Sequence, residues 1–249
     1  MTARSVASVR HRLERAALPG GDPGAEDRLI ASLPRAPAFM PGMRQYIAER
    51  TTFFDESLLS ALRRGAAQVV IVGAGYDGRA LRYRQPDVTY FEVDHPATQA
   101  DKRERLTKIG ADPSGIVFVP VDFGRQSVAE KLAAAGHTDD RPTHFLCEGV
   151  VPYVPRPDLQ ELFRGLAGRA AAGSTFALDM ATPGHDGPLV SRVLLQAVRA
   201  GVAMMGERMV TLLDADEARR LLLDAGWSDV VVELPTGPWP VAFALATSG

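Results

Sequence analysis

The chain is poor in several residues and patterns, and each shortage removes a class of function. Its 249 residues include one cysteine, Cys147, so no intramolecular disulfide can form, which suits a reducing compartment. One cysteine cannot build a zinc site either, and the histidines at 11, 95, 137, 144 and 185 form no close pair with ligand spacing, so no metal is expected. Lysine is reduced to Lys102, Lys108 and Lys131, none placed four residues after a tyrosine, and no G-x-S-x-G nucleophile elbow occurs. Nowhere do about 18 apolar residues run together, and the Arg-dotted N-terminus has no apolar stretch of signal-peptide length. The expectation is a cytoplasmic protein without membrane contact. Net charge is also missing: 28 Lys and Arg stand against 30 Asp and Glu, a balance that offers no field to hold nucleic acid.

What remains is ample core material, 46% hydrophobic with 23% charged, in a length that suits one domain. Apolar residues at Val6, Val9, Leu13 and Ala17 predict a short amphipathic helix from Ser5 to Ala17, ended by Pro19-Gly20-Gly21. A Pro- and Gly-rich connection follows, and then Tyr46, Ile47, Phe53, Phe54, Leu58, Leu59 and Leu62 predict a long helix from Met43 to Arg64, closed at Gly65. Gln68 to Val72 is a β-branched run of the kind buried on both faces of a parallel sheet. Beyond it, strand patterns (88–93, 116–121, 144–147, 176–179) alternate with helical ones (96–109, 127–135, 157–171), which predicts an α/β doubly wound sheet. The tail reads as a helix over 214–225 and two strands, 230–233 and 241–246, joined by Pro235-Thr-Gly-Pro238 and pairing antiparallel. Between 179 and 214 a Pro- and Gly-rich stretch leads into an apolar helix, 189–205, placed to cover the active edge of the sheet.

Gly73-Ala-Gly-Tyr-Asp-Gly78 follows the buried strand and spells G-x-G-x-x-G, a weak signal by itself because such glycines also serve packing. Asp94 ends the second strand, where a carboxylate can accept bonds from ribose hydroxyls; Asp122 and Phe123 end the third, where an acid and a flat ring can hold adenine. Helix capping is the alternative role for both aspartates. Glu148 ends the fourth strand beside the first, so three carboxylates are expected around one crevice. Such a crevice suits an amino group or a positive centre better than a pyrophosphate, although a nicotinamide dinucleotide on the glycine loop stays the rival. A binding protein that keeps the fold without the chemistry is a third possibility.

Taken in order, Arg50, Gly73-Ala-Gly-Tyr-Asp-Gly-Arg79, Glu92-Val-Asp-His-Pro96, Asp122-Phe123 and Glu148-Gly-Val-Val-Pro-Tyr153 resemble the motif series of the leucine carboxyl methyltransferase family, including its bacterial small-molecule branch. The resemblance covers roughly Tyr46 to Tyr153 and departs at Gly78, where the family has Ser or Thr, and in the first forty residues. It implies a class I methyltransferase-like (Rossmann-like) sheet of seven strands, the last antiparallel, with a helical cap over 1–64, a cofactor-binding core over 65–180, a lid and acceptor segment over 181–213 and a closing helix and strand pair over 214–249. It also implies S-adenosylmethionine as cofactor, with Arg50 on the methionyl carboxylate, Gly73 and Gly75 against the ligand, Asp94 on the ribose, Asp122 and Phe123 on the adenine, and Glu148 near the methionyl amine.

Methyl transfer from a sulfonium requires an aligned nucleophile and exclusion of water. A carboxylate acceptor is already ionised at neutral pH, whereas a phenol or alcohol needs a base. His185, in the stretch after the fifth strand, is the base candidate, and Tyr153 is placed to hydrogen-bond the acceptor or to pack beneath a lid. His144 reads as a strand-end residue, His95 as a helix-start residue and Cys147 as an inert core thiol. The expected activity is methylation of an oxygen on a small molecule, a carboxylate ahead of a hydroxyl, by a monomer or homodimer. A composition rich in Arg, Ala and Gly suits tailoring of a bacterial specialised metabolite.

Overall fold

A computed structural model of the chain describes residues 10, 13–34, 43–183, 189–204 and 206–249. Its centre is a seven-stranded sheet in the order β3-β2-β1-β4-β5-β7-β6. The first five strands are β1 (Gln68–Val72), β2 (Thr89–Asp94), β3 (Ile116–Pro120), β4 (Thr143–Cys147) and β5 (Thr175–Ala181). They pair parallel, with Val72 level with Val93 on one side and Cys147 on the other. The hairpin of β6 (Ser228–Glu233) and β7 (Val241–Thr247) inserts β7 antiparallel against β5.

Strand periodicity sorts the side chains onto the two faces. Val70 and Val72 point into a core shared with α5 (Val128–Ala134), α6 (Arg156–Ala167) and α8 (Ala215–Asp224). Val69 and Ile71 point the other way, onto Phe54, Leu58 and Leu62 of α2 (Met43–Arg63) and Ala80 of the short α3 (Arg79–Arg82). On this second side α1 (Pro23–Ala31) and α4 (Pro96–Lys108) meet through Leu29 and Leu106. The helix after β5, α7 (Leu189–Met204), completes the set among the described residues.

Two expectations at the N-terminal end change. Of the helix read over 5–17, Arg10 is helical, the segment 13–17 carries no regular structure, and the rest lies outside the described residues. Its charge outweighs its periodicity, because Arg15 is drawn inward to bond Asp55 (2.6 Å) and Glu26 (2.7 Å). The stretch read as plain connection holds α1, whose start is signalled by Asp22-Pro23: the Asp22 carboxylate accepts the Ala25 N–H, and Pro needs no partner in a first turn. The helix of α6 also stops at Ala167, short of the expected 171.

Candidate functional site

Strands β1 and β4 are neighbours from which the chain proceeds in opposite directions, to β2 and to β5, so the crevice above their carboxyl ends is the topological switch point of the sheet. The turn after β1 forms its floor. Gly73 (φ +66°) and Gly75 (φ +48°) take the left-handed conformation that disfavours side chains. A Cβ on Gly73 would lie 2.3 Å from Val150 Cγ2, so the segment after β4 packs directly on that glycine. The Gly75 N–H donates to Asp94 Oδ2 (2.5 Å) and the His95 N–H to Asp94 Oδ1 (2.6 Å), which aims the Asp94 carboxylate along the rim of the turn. Gly78 has another duty: a Cβ there would meet Glu26 Cγ at 2.2 Å, so the third glycine of the G-x-G-x-x-G admits α1 and not a ligand.

A cleft of about 480 Å³ opens at this point, lined by Arg10, Arg50, Gly73, Gly75, Phe123, Glu148 and Tyr153 among others. Three guanidiniums converge on Glu148 in its lining: Arg79 Nη1 at 2.6 Å, Arg10 Nη2 at 2.8 Å and Arg50 Nε at 3.1 Å. Asp77 shares two of them, Arg79 Nη1 at 2.5 Å and Arg10 Nη1 at 3.1 Å. Arg79, fully buried, also reaches Asp55 on α2 (2.7 Å). Burial alone would raise the carboxyl pKa of Glu148, but Arg10, Arg79 and Arg50 together hold it well below the ordinary value. Asp179, at the end of β5, has one guanidinium beside it instead of three, and there burial prevails and raises its pKa against the opposing pull of Arg50. Two further guanidinium N–H groups, Arg10 Nε and Arg79 Nη2, are buried without a hydrogen-bond acceptor among the described residues, and the Arg50 Nε–H, although 3.1 Å from Glu148 Oε1, is not aimed at it well enough to make a hydrogen bond.

The structure therefore gathers Arg50, Gly73, Gly75, Glu148, Phe123 and Tyr153 at one cleft, with Asp94 bonded to its glycine turn. Asp122 is next in sequence to Phe123, which lines the cleft, and its side chain is 40% exposed and 3.5 Å from Arg125. Phe123 also borders a smaller pocket of about 180 Å³ against α6. Asp77, two residues past Gly75, joins Glu148 in the cleft wall, a carboxylate beyond the three expected there. His185 lies outside the described residues. His144 is buried in β4, its ring nitrogens facing Thr175 Oγ1 (2.7 Å) and Ser57 Oγ (3.3 Å), and desolvation lowers its pKa to about 3. His95 caps α4 by accepting the Ala97 N–H, and burial raises the pKa of the Cys147 thiol, which keeps it protonated.

Sequence reasoning missed Arg10, Asp55 and Asp179, and it included Asp77 and Arg79 in the glycine motif without giving them a role. One signal was available: Arg50 and Asp55 fall within the spacing Ile47, Thr51, Phe54, Leu58 of the buried stripe of α2, and a charge at a core position demands a partner. Arg10 offered none, because its partners lie 67 and 138 positions away.

Residues 16–167 match the model of the leucine carboxyl methyltransferase family. The chain belongs to that family. A presumed S-adenosyl-L-methionine-dependent methyltransferase of Mycobacterium avium is 42% identical over 137 residues, 54% of this chain and 44% of that protein. Another of the same description from Mycobacterium marinum is 37% identical over 164 residues, 65% of this chain and 52% of the relative, so this leucine carboxyl methyltransferase family member spans about half the length of the relatives it matches. In fold it is similar to a DUF574 family protein of Streptomyces avermitilis, with a TM-score of 0.64 at 16% identity, covering 100% of this chain and 97% of the other. Human N-acetylserotonin methyltransferase, solved with S-adenosylmethionine, shares the fold at a TM-score of 0.55 and 14% identity, over 90% of this chain and 56% of that one.

Proposed function

We propose that the protein transfers a methyl group from S-adenosylmethionine to an oxygen of a small organic acceptor, a carboxylate ahead of a hydroxyl. The observation that carries this reading is a cleft that brings the guanidiniums of Arg10 and Arg50 together with the carboxylate of Glu148. Cations and an anion at one end of a cleft match the carboxylate and the ammonium of an amino-acid group. The remaining parts suit the same ligand: a volume in the range of small-molecule pockets, a turn whose Gly73 and Gly75 line the cleft, and an acid for its ammonium.

In this reading Arg50, with Arg10, holds the methionyl carboxylate, and Glu148 attracts the ammonium. Gly73 and Gly75 give the backbone surface, Asp94 accepts from the ribose hydroxyls, and Phe123 with Asp122 flanks the adenine. The bound cofactor supplies an electrophilic sulfonium methyl. The chain's own work is then alignment and exclusion of water. Tyr153, on the 3-10 turn Val151–Tyr153 after β4, borders the same cleft and is the group we assign to the acceptor. The loop behind it is tied down, the Val210 N–H donating to Pro152 O (2.8 Å) and Thr211 Oγ1 to Val154 O (2.7 Å). No described side chain at the cleft is an obvious neutral base, which favours an acceptor ionised without help.

Calorimetric titration with S-adenosylmethionine, S-adenosylhomocysteine and NAD tests the cofactor, and transfer of a labelled methyl group to a panel of carboxylic acids and phenols tests the acceptor. Binding of the two sulfur ligands with NAD silent is expected; binding of NAD alone would overturn the reading.

A further inference from the structure

Asp179 belongs to none of the motifs that led to the cleft, does not line it, and is 2% exposed. Its two oxygens are nevertheless fully used by groups that bear on the cleft. Oδ1 accepts the N–H of Gly149 at 2.5 Å, and Gly149 (φ +68°) is the residue that turns the chain immediately after Glu148. Oδ2 accepts from Arg50 Nη1 at 3.4 Å and from the Tyr46 hydroxyl at 3.2 Å. Arg50 Nη1 donates in turn to the Tyr46 oxygen (3.3 Å), its guanidinium lies 5.3 Å from the centre of the Tyr46 ring, and that ring stacks on Trp239 at 5.7 Å.

A guanidinium is planar and its hydrogen-bond fork is rigid, so fixing one of its terminal nitrogens fixes the direction of the others. With Nη1 committed to Asp179 and Tyr46, the Arg50 Nε is held in place 3.1 Å from Glu148 Oε1. A long side chain free to rotate would surrender much of its binding energy as rotamer entropy on meeting a ligand. Here the ordering is done by the fold before any ligand arrives. From this geometry we propose that Asp179 is a positioning residue, which pre-orients Arg50 and, through Gly149, Glu148 for the charged end of an amino-acid-bearing ligand. The inference rests on the assignment of Arg50 and Glu148 made above and adds a requirement for β5, which carries Asp179.

The test compares two ligands that differ only at that end. S-Adenosylhomocysteine carries the ammonium and carboxylate; 5′-methylthioadenosine has the nucleoside and sulfur without them. Dissociation constants for both are measured by calorimetry on the wild type, Asp179→Asn, Arg50→Gln and the double variant, with thermal melts alongside. The expected result for Asp179→Asn is a roughly tenfold weaker affinity for S-adenosylhomocysteine and unchanged affinity for 5′-methylthioadenosine. In the Arg50→Gln background most of that loss should vanish, since a group acting through Arg50 has little left to act on. Equal weakening of both ligands would mean a general disturbance of the fold and overturn the inference, as would full additivity with Arg50→Gln. If Arg50→Gln alone leaves S-adenosylhomocysteine binding intact, the Arg50 assignment itself fails and the inference fails with it. If Arg50→Gln weakens binding while Asp179→Asn does not, the inference alone fails.

Discussion

Arg79 Nη1 stands 2.6 Å from Glu148 Oε2, a contact that binds the loop after β1 to the end of β4. The guanidinium has no exposure to solvent and holds Asp55 and Asp77 as well, so three stretches of chain distant in sequence depend on a single side chain. Removal of one member of such a set costs more than the set contributes, because the charges left behind stay buried without compensation.

Arg79→Met keeps the volume of the stem and leaves the carboxylates of Asp55, Asp77 and Glu148 short of a cation. A loss of about 3–5 kcal/mol in unfolding free energy is expected from urea titration. A loss below about 1 kcal/mol would mean that Arg10, Arg15 and Arg50 can carry the charge alone.

Asp94→Ala removes the acceptor of the Gly75 N–H and the proposed partner of the ribose. Charge-assisted bonds of this kind are worth roughly 1.5–3 kcal/mol, so affinity for S-adenosylhomocysteine should fall by one to two orders of magnitude. Unaltered affinity in the same titration would sink the ribose assignment.

Gly73→Ala meets two obstacles at once, a φ of +66° and Val150 Cγ2 at 2.3 Å from the new methyl carbon. The conformational part costs about 1–2 kcal/mol and the crowding about 1–3 kcal/mol. Adding Val150→Ala should restore only the second part, so the double variant should melt between Gly73→Ala and the wild type. Complete recovery would show that backbone strain at this turn is negligible.

Acid sensitivity should begin well above the carboxylate range. Desolvation lowers the pKa of His144 to about 3 and that of His137 to about 4, below the ordinary 6.5. Between those limits the unfolded chain binds more protons than the folded one, so stability is fully present above about pH 6.5 and declines as pH falls through 6 toward 3. His144 alone accounts for roughly 2 kcal/mol between pH 7 and pH 5. Asp55, held down to about 2 against its burial by Arg79 and Arg15, adds its own loss only below about pH 4. Urea midpoints measured against pH check the order of these events: His144→Gln should flatten the curve between pH 7 and 5, and a slope equal to that of the wild type would count against a buried neutral imidazole.

Most of the sheet was legible in the sequence because its strands are local patterns. Gln68 to Val72 is apolar enough to be buried on both faces, and the spacing of Tyr46 to Leu62 defines a helix without reference to anything else. The glycine turn and the acids at the strand ends were readable for the same reason, since a parallel strand fixes which of its ends faces the ligand edge. The segment from 13 to 17 failed because a helical period says nothing about a distant carboxylate: Arg15 finds Asp55 and Glu26 only once the chain is folded. Gly78 completed a dinucleotide fingerprint on paper, but in space it makes room for Glu26.

The sequence by itself determined the alternation of strands and helices, the place of the cleft at the β1–β4 switch point, and the residues Arg50, Gly73, Gly75, Phe123 and Glu148 that meet there. Only the tertiary structure decided how their charges are balanced. The guanidiniums of Arg10, Arg50 and Arg79 and the carboxylates of Asp77, Glu148 and Asp179 come from five separate parts of the chain, and each is tolerated in the interior because the others are within reach. Local pattern reports the burial of an apolar side chain, since neighbours along the chain share its face, whereas an ion pair depends on distance in space and leaves no period to read.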